Sequence, residues 1–337
     1  MMSRHSVNNS MLKTATILTL AWFVSVAHAE HHELNFSNNG WHSWRVTAID
    51  DAPNWCCGVW QNDTLVREQC DLDNHNYAHG TPNAHAQTVA GEPNEMQIYV
   101  RMQDGKAQDI RTLSHSCRVT AEEPVRNLGK RDSSTSLAWL KSQLHPRQST
   151  ASDVLAAIAI HAGKAAYSML LSAASNDDNI KTRKDAIFWM GQARARESAK
   201  ALERFVRQDP LAKIREHAIF SVSQTNLAPR FEIISDAGKH DADPHVRSKA
   251  WFWLSQTEDR SAAAVILQAL KKEKNKAVHD EAVFALSQLP EIDAVNALVA
   301  VSKDQTLPDS VRKRAVFWLA QSKSDQALDY LASIFDE

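Results

Sequence analysis

The sequence predicts a mainly α-helical protein in which a helical-repeat solenoid follows a small disulfide-linked β domain. Three observations lead to this fold class. A helical segment recurs five times in the second half, alternating apolar and polar residues mark strands in the first half, and all four cysteines lie in that first half. A unit repeated every roughly 20–50 residues is typical of a solenoid, because one helix pair cannot cover its own apolar face.

The repeated segment is Ala-Ile-Phe-Trp-Met-Gly-Gln where it first occurs, beginning at Ala186. Its later copies begin at Ala218, Ala250, Ala282 and Ala315, so the spacings are 32, 32, 32 and 33 residues. A branched residue precedes each alanine by four positions, and a basic residue precedes it by three. Five copies in phase predict five stacked helix pairs over residues 179–337.

The arrangement Val-Arg-x-x-Ala-x-Phe-Trp-Leu-x-Gln resembles the HEAT-repeat superfamily, in particular the short phycobilin-lyase-like HEAT repeats of bacteria. The resemblance covers residues 150–337, roughly the carboxy-terminal half of the chain. It implies a HEAT-type α-solenoid and says little about activity. Residues 129–178 are expected to form a linker and amino-terminal capping helices, since terminal repeats are usually atypical.

Residues 30–128 are expected to form the β domain. Met96, Ile98, Val100 and Met102 alternate with polar residues, as in a half-buried strand. The Asp-Gly dipeptide that begins at Asp104 then supplies the turn residues of a hairpin.

The four cysteines, Cys56, Cys57, Cys70 and Cys117, are expected to form two disulfides. A bond between the adjacent pair would strain the backbone, which leaves two pairings open: 56–70 with 57–117, or 57–70 with 56–117. A zinc site is the alternative, although the Cys-x₂-Cys spacing typical of such sites is missing.

Residues 1–29 have the features of a secretory signal peptide: basic residues, an apolar run and the small-x-small sequence that ends at Ala29. We therefore expect an exported protein, periplasmic or secreted, without an integral membrane segment after cleavage. The net charge is −2 and no basic run occurs, so nucleic acid is not an expected partner.

On a helical wheel the repeat phenylalanine lies roughly 200° from the repeat alanine, and the glutamine lies near it. Both positions point away from the apolar stripe that faces the other helices. An outer aromatic row would suit a docking partner, whereas the alternative is that each ring packs against the next repeat. The candidate partner-binding residues are Phe188, Gln192, Phe220, Gln224, Phe252, Gln256, Phe284, Gln288, Phe317 and Gln321.

The basic residue of each repeat falls at the edge of the stripe, where its stem can pack and its head can reach a neighbouring repeat. We expect a structural ladder of Arg183, Arg215, Arg247 and Arg312, with His279 in the fourth repeat.

Motifs for nucleophilic catalysis, phosphate binding and helical zinc sites are missing from the sequence. The paired His-Glu dipeptides that bind iron in the deoxyhypusine hydroxylase family of HEAT-like proteins are missing too. The sequence therefore predicts neither a catalytic residue nor a cofactor, and a protein that is not an enzyme.

Cleavage after Ala29 would leave Glu30, His31 and His32 at the amino terminus, where amine, amide and imidazole nitrogens can hold Cu²⁺ or Ni²⁺. Metal handling or sensing is thus the alternative function. The leading hypothesis is an exported scaffold that binds an unidentified protein or peptide through the repeat surface.

Overall fold

The computed structural model describes residues 34, 36, 38–50, 52, 54–61, 64–67, 69–74, 94–144 and 150–335. These residues form a mainly helical protein with a small sheet at the amino-terminal side. The strands are β1 (Gly40–Thr47), β2 (Gly58–Gln61), β3 (Thr64–Arg67), β4 (Cys70–Asp71), β5 (Glu95–Gln103), β6 (Lys106–Ser114), β7 (Val119–Thr120) and β8 (Arg126–Lys130). The main sheet has the order β6-β5-β1-β8, and β2-β3 and β4-β7 form two smaller pairs.

The hairpin between β5 and β6 follows from its two turn residues. Asp104 and Gly105 have φ values of 50° and 73°, the two positive values that a type I′ turn requires. The strands pair antiparallel from Gln103 opposite Lys106 to Met96 opposite Ser114, with one register shift beside Arg101. The hairpin predicted from the Asp-Gly dipeptide is therefore present.

One face of the main sheet packs on helices rather than standing apart from them. Trp44 and Val46 of β1 lie opposite Ile98 and Met96 of β5, and all four side chains are buried in the core that also contains the helices. Helices α1 (Ser133–Gln143), α2 (Ala151–Ile160) and α3 (Lys164–Asn176) precede the repeats. The sheet and these helices share one apolar core.

A network of buried hydrogen bonds connects the main sheet to these helices. The Trp44 indole Nε1 donates to Ser136 Oγ at 2.8 Å, and Ser136 Oγ lies 2.8 Å from His161 Nε2. His161 Nδ1 lies 2.6 Å from the Ala157 carbonyl oxygen, which requires that nitrogen to carry the proton. Ser136 then donates to His161 Nε2. Burial lowers the pKa of His161 to about 4, so the ring is neutral at pH 7.

The other face of the sheet is covered by the disulfide-linked segments. Cys56 bonds to Cys117 and Cys57 bonds to Cys70, the second of the two pairings that the sequence leaves open. Cys57, Cys70, Trp41, Leu72 and Leu113 form a second, smaller apolar cluster. All four cysteines are oxidised, so neither the alternative zinc site nor a thiol nucleophile is formed.

The first residues of the segment 129–178, where a linker is expected, are ordered structure. Strand β8 runs to Lys130 and pairs parallel with β1. Asp132 then caps α1, because its Oδ1 accepts from the Thr135 backbone N–H at 2.9 Å. Hydrogen bonds from Ser134 and Thr135 hold the pKa of Asp132 far below its usual range. The sheet thus continues directly into the helices.

Among the described residues, nine further helices carry the repeats. They are α4 (Ile180–Gln208), α5 (Ala212–Ser223), α6 (Arg230–His240), α7 (Pro244–Ser255), α8 (Ala262–Leu270), α9 (Lys276–Ser287), α10 (Glu291–Lys303), α11 (Asp309–Gln321) and α12 (Asp325–Phe335). The signature segment lies on the first half of α4 and on α5, α7, α9 and α11, which pack on one another in sequence and form the A layer. The second half of α4 and α6, α8, α10 and α12 form the B layer.

The first repeat differs because its two helices join without a loop. The backbone breaks at Arg194, whose φ and ψ are −132° and 34°. The guanidinium is buried and donates to the carbonyl oxygens of Ala159 at 3.0 Å, His161 at 2.7 Å and Gly163 at 3.1 Å. Arg194 therefore caps the carboxyl end of α2 and ties the first repeat to the sheet-bearing part of the protein.

Candidate binding surface

A continuous row of aromatic rings runs along the A layer from the disulfide-linked segment to the last repeat. Each ring centroid lies 4.8–6.1 Å from the next, within the range of favourable ring contacts. We call these nine residues the aromatic row, in order: Trp55, Trp189, Phe188, Phe220, Trp253, Phe252, Phe284, Trp318 and Phe317.

The row is continuous because tryptophan occurs in every second repeat. Trp189, Trp253 and Trp318 follow the phenylalanine in the first, third and fifth repeats, whereas Ser221 and Ala285 take that position in the second and fourth. Where the tryptophan is missing, the next repeat supplies one: the Phe220 ring lies 4.8 Å from Trp253, and Phe284 lies 5.0 Å from Trp318.

On a helical wheel the tryptophans fall on the apolar stripe that faces the other helices. This position does not indicate that they also belong to the aromatic row. All three are only half-buried, and their rings lie against the phenylalanines. The alternation of tryptophan with small residues is the signal in the sequence that could have revealed them.

The phenylalanines combine the two alternatives that the sequence leaves open. Four are half-buried, because each packs on a ring of the neighbouring repeat and leaves part of its surface to solvent. Phe188 stacks on Phe220 and Phe252 stacks on Phe284, with interplanar angles of 9° and 4°. Phe317, in the fifth repeat, is 47% exposed.

The repeat glutamines lie at the carboxyl ends of the A helices. In the three middle repeats the glutamine amide donates to the preceding serine hydroxyl at 3.1–3.2 Å, and that hydroxyl donates to the phenylalanine carbonyl oxygen at 2.7–2.8 Å. The hydrogen bonds fix the amides while leaving them exposed. The residues of this glutamine row are Gln224, Gln256 and Gln288, flanked by half-buried Gln192 and exposed Gln321.

Ion pairs between neighbouring repeats balance the charges beside the aromatic row. Lys249 Nζ lies 3.2 Å from Glu281 Oε1, Arg314 Nε lies 3.4 Å from Asp280 Oδ1, and the Arg314 guanidinium also lies over the Phe317 ring. Exposed pairs of this kind contribute little to stability. Their consequence is that these charges beside the aromatic row are paired.

Two indole N–H groups at the ends of the row lack a hydrogen-bond partner. Nε1 of Trp55 and Nε1 of Trp318 are buried from solvent and unpaired among the residues the structure describes. Trp189 differs, since its Nε1 donates to Ser152 Oγ at 3.2 Å. An unpaired buried donor costs free energy, and neither N–H is open to a molecule bound at the surface.

The arginine ladder joins the start of each A helix to the end of the B helix in the same repeat, and a backbone contact reaches the preceding repeat, since Arg215 Nη1 also donates to the Asp209 carbonyl oxygen at 2.9 Å. Arg215 donates to both carboxylate oxygens of Asp241 at 2.8 Å, and Arg247 donates to both of Glu273 at 2.9 and 3.2 Å. Arg183 makes the equivalent bond to Asp209. Each acid lies 26 residues after its arginine, at the end of the following B helix.

The fourth and fifth repeats depart from this scheme. His279 Nε2 lies 3.2 Å from the Leu270 carbonyl oxygen, and Arg312 Nη1 donates to the Leu307 carbonyl oxygen at 2.6 Å. These contacts occupy the ladder residues within the fold, so they are not available to a partner in the way the exposed glutamines are.

The metal candidates His31 and His32 lie outside the described residues, as do residues 1–29 of the expected signal peptide. Within the described ranges, no group of three His, Cys, Asp or Glu side chains is placed to hold a metal ion. The amino-terminal metal site remains a prediction from the sequence.

No protein-family model and no curated protein matches the chain. Among solved structures, human deoxyhypusine hydroxylase in complex with glycerol is similar to it at 16% identity, with 60% of this chain and 79% of that chain covered and a TM-score of 0.28. E. coli YibA is 22% identical, with 58% and 74% covered and a TM-score of 0.38. At these values the likeness concerns the helical-repeat fold alone.

This comparison corrects one expectation. The prediction that the protein is not an enzyme is wrong as an exclusion, because a solved chain with similar helical repeats is itself an enzyme. A helical-repeat fold is therefore compatible with catalysis, and no activity is transferred from one chain to the other.

Of the described helices, none has both the length and the apolar character needed to cross a bilayer. The two disulfides fit an oxidising compartment such as the bacterial periplasm or the extracellular space.

Proposed function

We propose that this protein is exported and binds an extended segment of another protein or a peptide along the aromatic and glutamine rows. The observation that carries the proposal is the unbroken line of nine rings, seven of them half-buried, with exposed, hydrogen-bonded glutamine amides beside it. Rings supply large contact areas at a small entropic cost. The repeats belong, on this proposal, to the phycobilin-lyase-like HEAT class that their sequence resembles.

The spacing of the repeats suits an extended chain. Packed helices lie roughly 8–10 Å apart, and an extended chain advances roughly 3.3 Å per residue. Every third residue of such a segment would therefore meet the next repeat. A glutamine amide offers both a donor and an acceptor, the pair of groups that a peptide backbone presents.

The amides are also prepared for binding before a partner arrives. Each Ser–Gln hydrogen bond restricts the glutamine side chain, which lowers the rotamer entropy that binding would remove. The neutral surroundings of the row predict binding that depends only weakly on salt.

The test uses peptides selected from a displayed random library against the wild-type protein, with affinities measured for two matched variants. The first replaces Gln224, Gln256 and Gln288 with alanine. The control replaces three exposed B-layer glutamines, Gln208, Gln268 and Gln326, in the same way.

Loss of the three row amides should weaken binding by roughly tenfold or more, whereas the control should stay within roughly twofold of the wild type. Equal effects of the two variants would show that the row amides have no specific part in binding, and a larger effect of the control would assign binding to the B layer; either result would remove this proposal.

A further inference from the structure

A cleft of about 520 Å³ opens where the second, third and fourth repeats meet, and none of its lining residues belongs to the aromatic row. Its walls are the carboxyl ends of α6 and α8 and the parts of α7 and α9 that reach as far as Trp251 and Ala282. It is therefore a separate feature from the surface proposed above.

The sequence explains why the cleft occurs at this junction. Helix α8 has nine residues, the fewest among the helices described, so the chain leaves the B layer early. At the same junction Trp251 replaces the isoleucine or valine of the other repeats. A Cβ on Gly238 would lie 2.8 Å from the Trp251 ring, so the glycine makes room for the indole.

The floor of the cleft is apolar. Trp251, Leu270, Val278 and Ala282 line it, and each side chain is at most 2% exposed. Because these residues are almost fully covered, the floor itself offers a ligand little contact area, but the cleft volume lies within the range of ordinary ligand sites.

The rim carries uncompensated positive charge. Lys239, Lys272 and Lys274 are exposed at the cleft and form no ion pair among the described residues. Two acids also line the cleft. Both carboxylate oxygens of Asp241 accept hydrogen bonds from Arg215, and both of Glu273 accept from Arg247. The lysine charges are therefore free to act on a ligand.

This charge is local, because the whole chain has a net charge of −2. Four cationic and two anionic side chains line the cleft. A concave site with cations at its rim and a low-dielectric floor concentrates anions.

We propose that the cleft is a binding site for a small organic anion, with a compact aromatic or aliphatic body inside the cleft and a carboxylate at the three lysines. Flexible lysine ammonium groups suit this role, since each can reach an anionic oxygen of any orientation.

The experiment is calorimetric titration of the full chain with 1-naphthoate, and with 1-naphthalenemethanol as the neutral analogue of the same shape. The rim variant combines Lys239→Glu, Lys272→Glu and Lys274→Glu. The control variant combines Lys200→Glu, Lys213→Glu and Lys323→Glu, three exposed lysines outside the cleft, so both variants change the net charge equally.

We expect saturable binding of one naphthoate, weakened roughly tenfold or more in the rim variant and no more than roughly twofold in the control. The alcohol should bind roughly tenfold or more weakly than the carboxylate. Equal weakening in both variants, an unchanged rim variant, or no saturable binding would each overturn the proposal. The glutamine-row variant should bind naphthoate as the wild type does, which separates this outcome from that of the peptide experiment.

Discussion

At the scale of single residues, His161 and Asp153 titrate in overlapping pH ranges with opposite effects on stability. Burial lowers the pKa of His161 to about 4, so between pH 6.5 and 4 the unfolded state binds more protons and acidification destabilises the fold. Burial raises the pKa of Asp153 to about 6, with Asp109 opposing and Arg111 favouring its ionised form. Between pH 6 and 4 the folded state binds more protons there, so acidification stabilises the fold.

The two contributions are of similar size, about 3 kcal/mol each, and offset one another in the wild type. Asp153→Asn removes the contribution of Asp153 and leaves that of His161. We expect the variant to lose about 3 kcal/mol more than the wild type between pH 6.5 and 4, measured by urea unfolding at several pH values. Subtracting one stability curve from the other removes the contributions of the other carboxyl groups, which are the same in both proteins. Parallel curves would show that Asp153 titrates normally.

Phe252 tests how far the row contributes to folding. Its ring contacts Trp253 and Phe284 but remains half-buried. Phe252→Glu should therefore cost about 1–2 kcal/mol of unfolding free energy, less than the roughly 3–5 kcal/mol of a fully buried ring. Phe317→Glu, at the more exposed end, is the matched control and should cost about half as much or less in the same urea titration. Equal and large losses would place both rings in the core.

At the scale of elements, Gly238 on α6 and Trp251 on α7 form a matched pair. The equivalent positions one repeat earlier hold Val206 and Ile219. The smaller residue at 238 therefore accompanies the larger residue at 251 on the facing helix. Gly238→Val alone should clash with the indole and cost about 3 kcal/mol, and Trp251→Ile alone should leave a cavity and cost about 3 kcal/mol.

The double variant should recover most of this loss, because it restores the combination of the preceding repeat. Urea unfolding of the four proteins gives the coupling energy directly, and additive losses would contradict the pairing.

The elements themselves follow from sequence more readily than their contacts do. The repeat period predicts the helix pairs, and Asp104 with Gly105 predicts the hairpin, because both depend on local backbone preferences. The vicinal cysteines limit the pairings to two, but the choice between them depends on which segments the sheet brings together. The kink at Arg194 depends on three carbonyl groups distant in sequence.

The candidate site is predictable in its composition but not in its geometry. A helical wheel places the phenylalanines and glutamines outside the apolar stripe; in the structure four of the phenylalanines are half-buried and four of the glutamines are exposed. It treats one helix at a time, however, and the aromatic row is formed between helices. Trp253 belongs to the row because its ring covers Phe220 of the preceding repeat, a relation that no single-helix pattern contains.

At the scale of the whole molecule, the disulfide-linked segments and the repeats are coupled through Trp55. This residue precedes Cys56, its carbonyl oxygen accepts from the Ser114 backbone N–H at 3.2 Å, and its ring lies 5.3 Å from Trp189. The Cys56–Cys117 bond therefore holds the first ring of the row against the first repeat. The Cys57–Cys70 bond closes a shorter loop and belongs to the separate cluster on the other sheet face.

Replacing each disulfide with a serine pair should separate these roles. Chain entropy predicts losses of about 4 kcal/mol for the bond between Cys56 and Cys117, which are 61 residues apart, and about 3 kcal/mol for the bond between Cys57 and Cys70, which are 13 apart. Removal of the Cys56–Cys117 bond should also free the Trp55 ring and weaken the binding of peptides whose ends reach the first repeat. Removal of the Cys57–Cys70 bond should not have this effect. Calorimetric unfolding measures the first effect, and affinity for the selected peptides measures the second. Equal losses of peptide affinity in both variants would show that the disulfides act on overall stability alone, and the aromatic row would then begin at Trp189 rather than at Trp55.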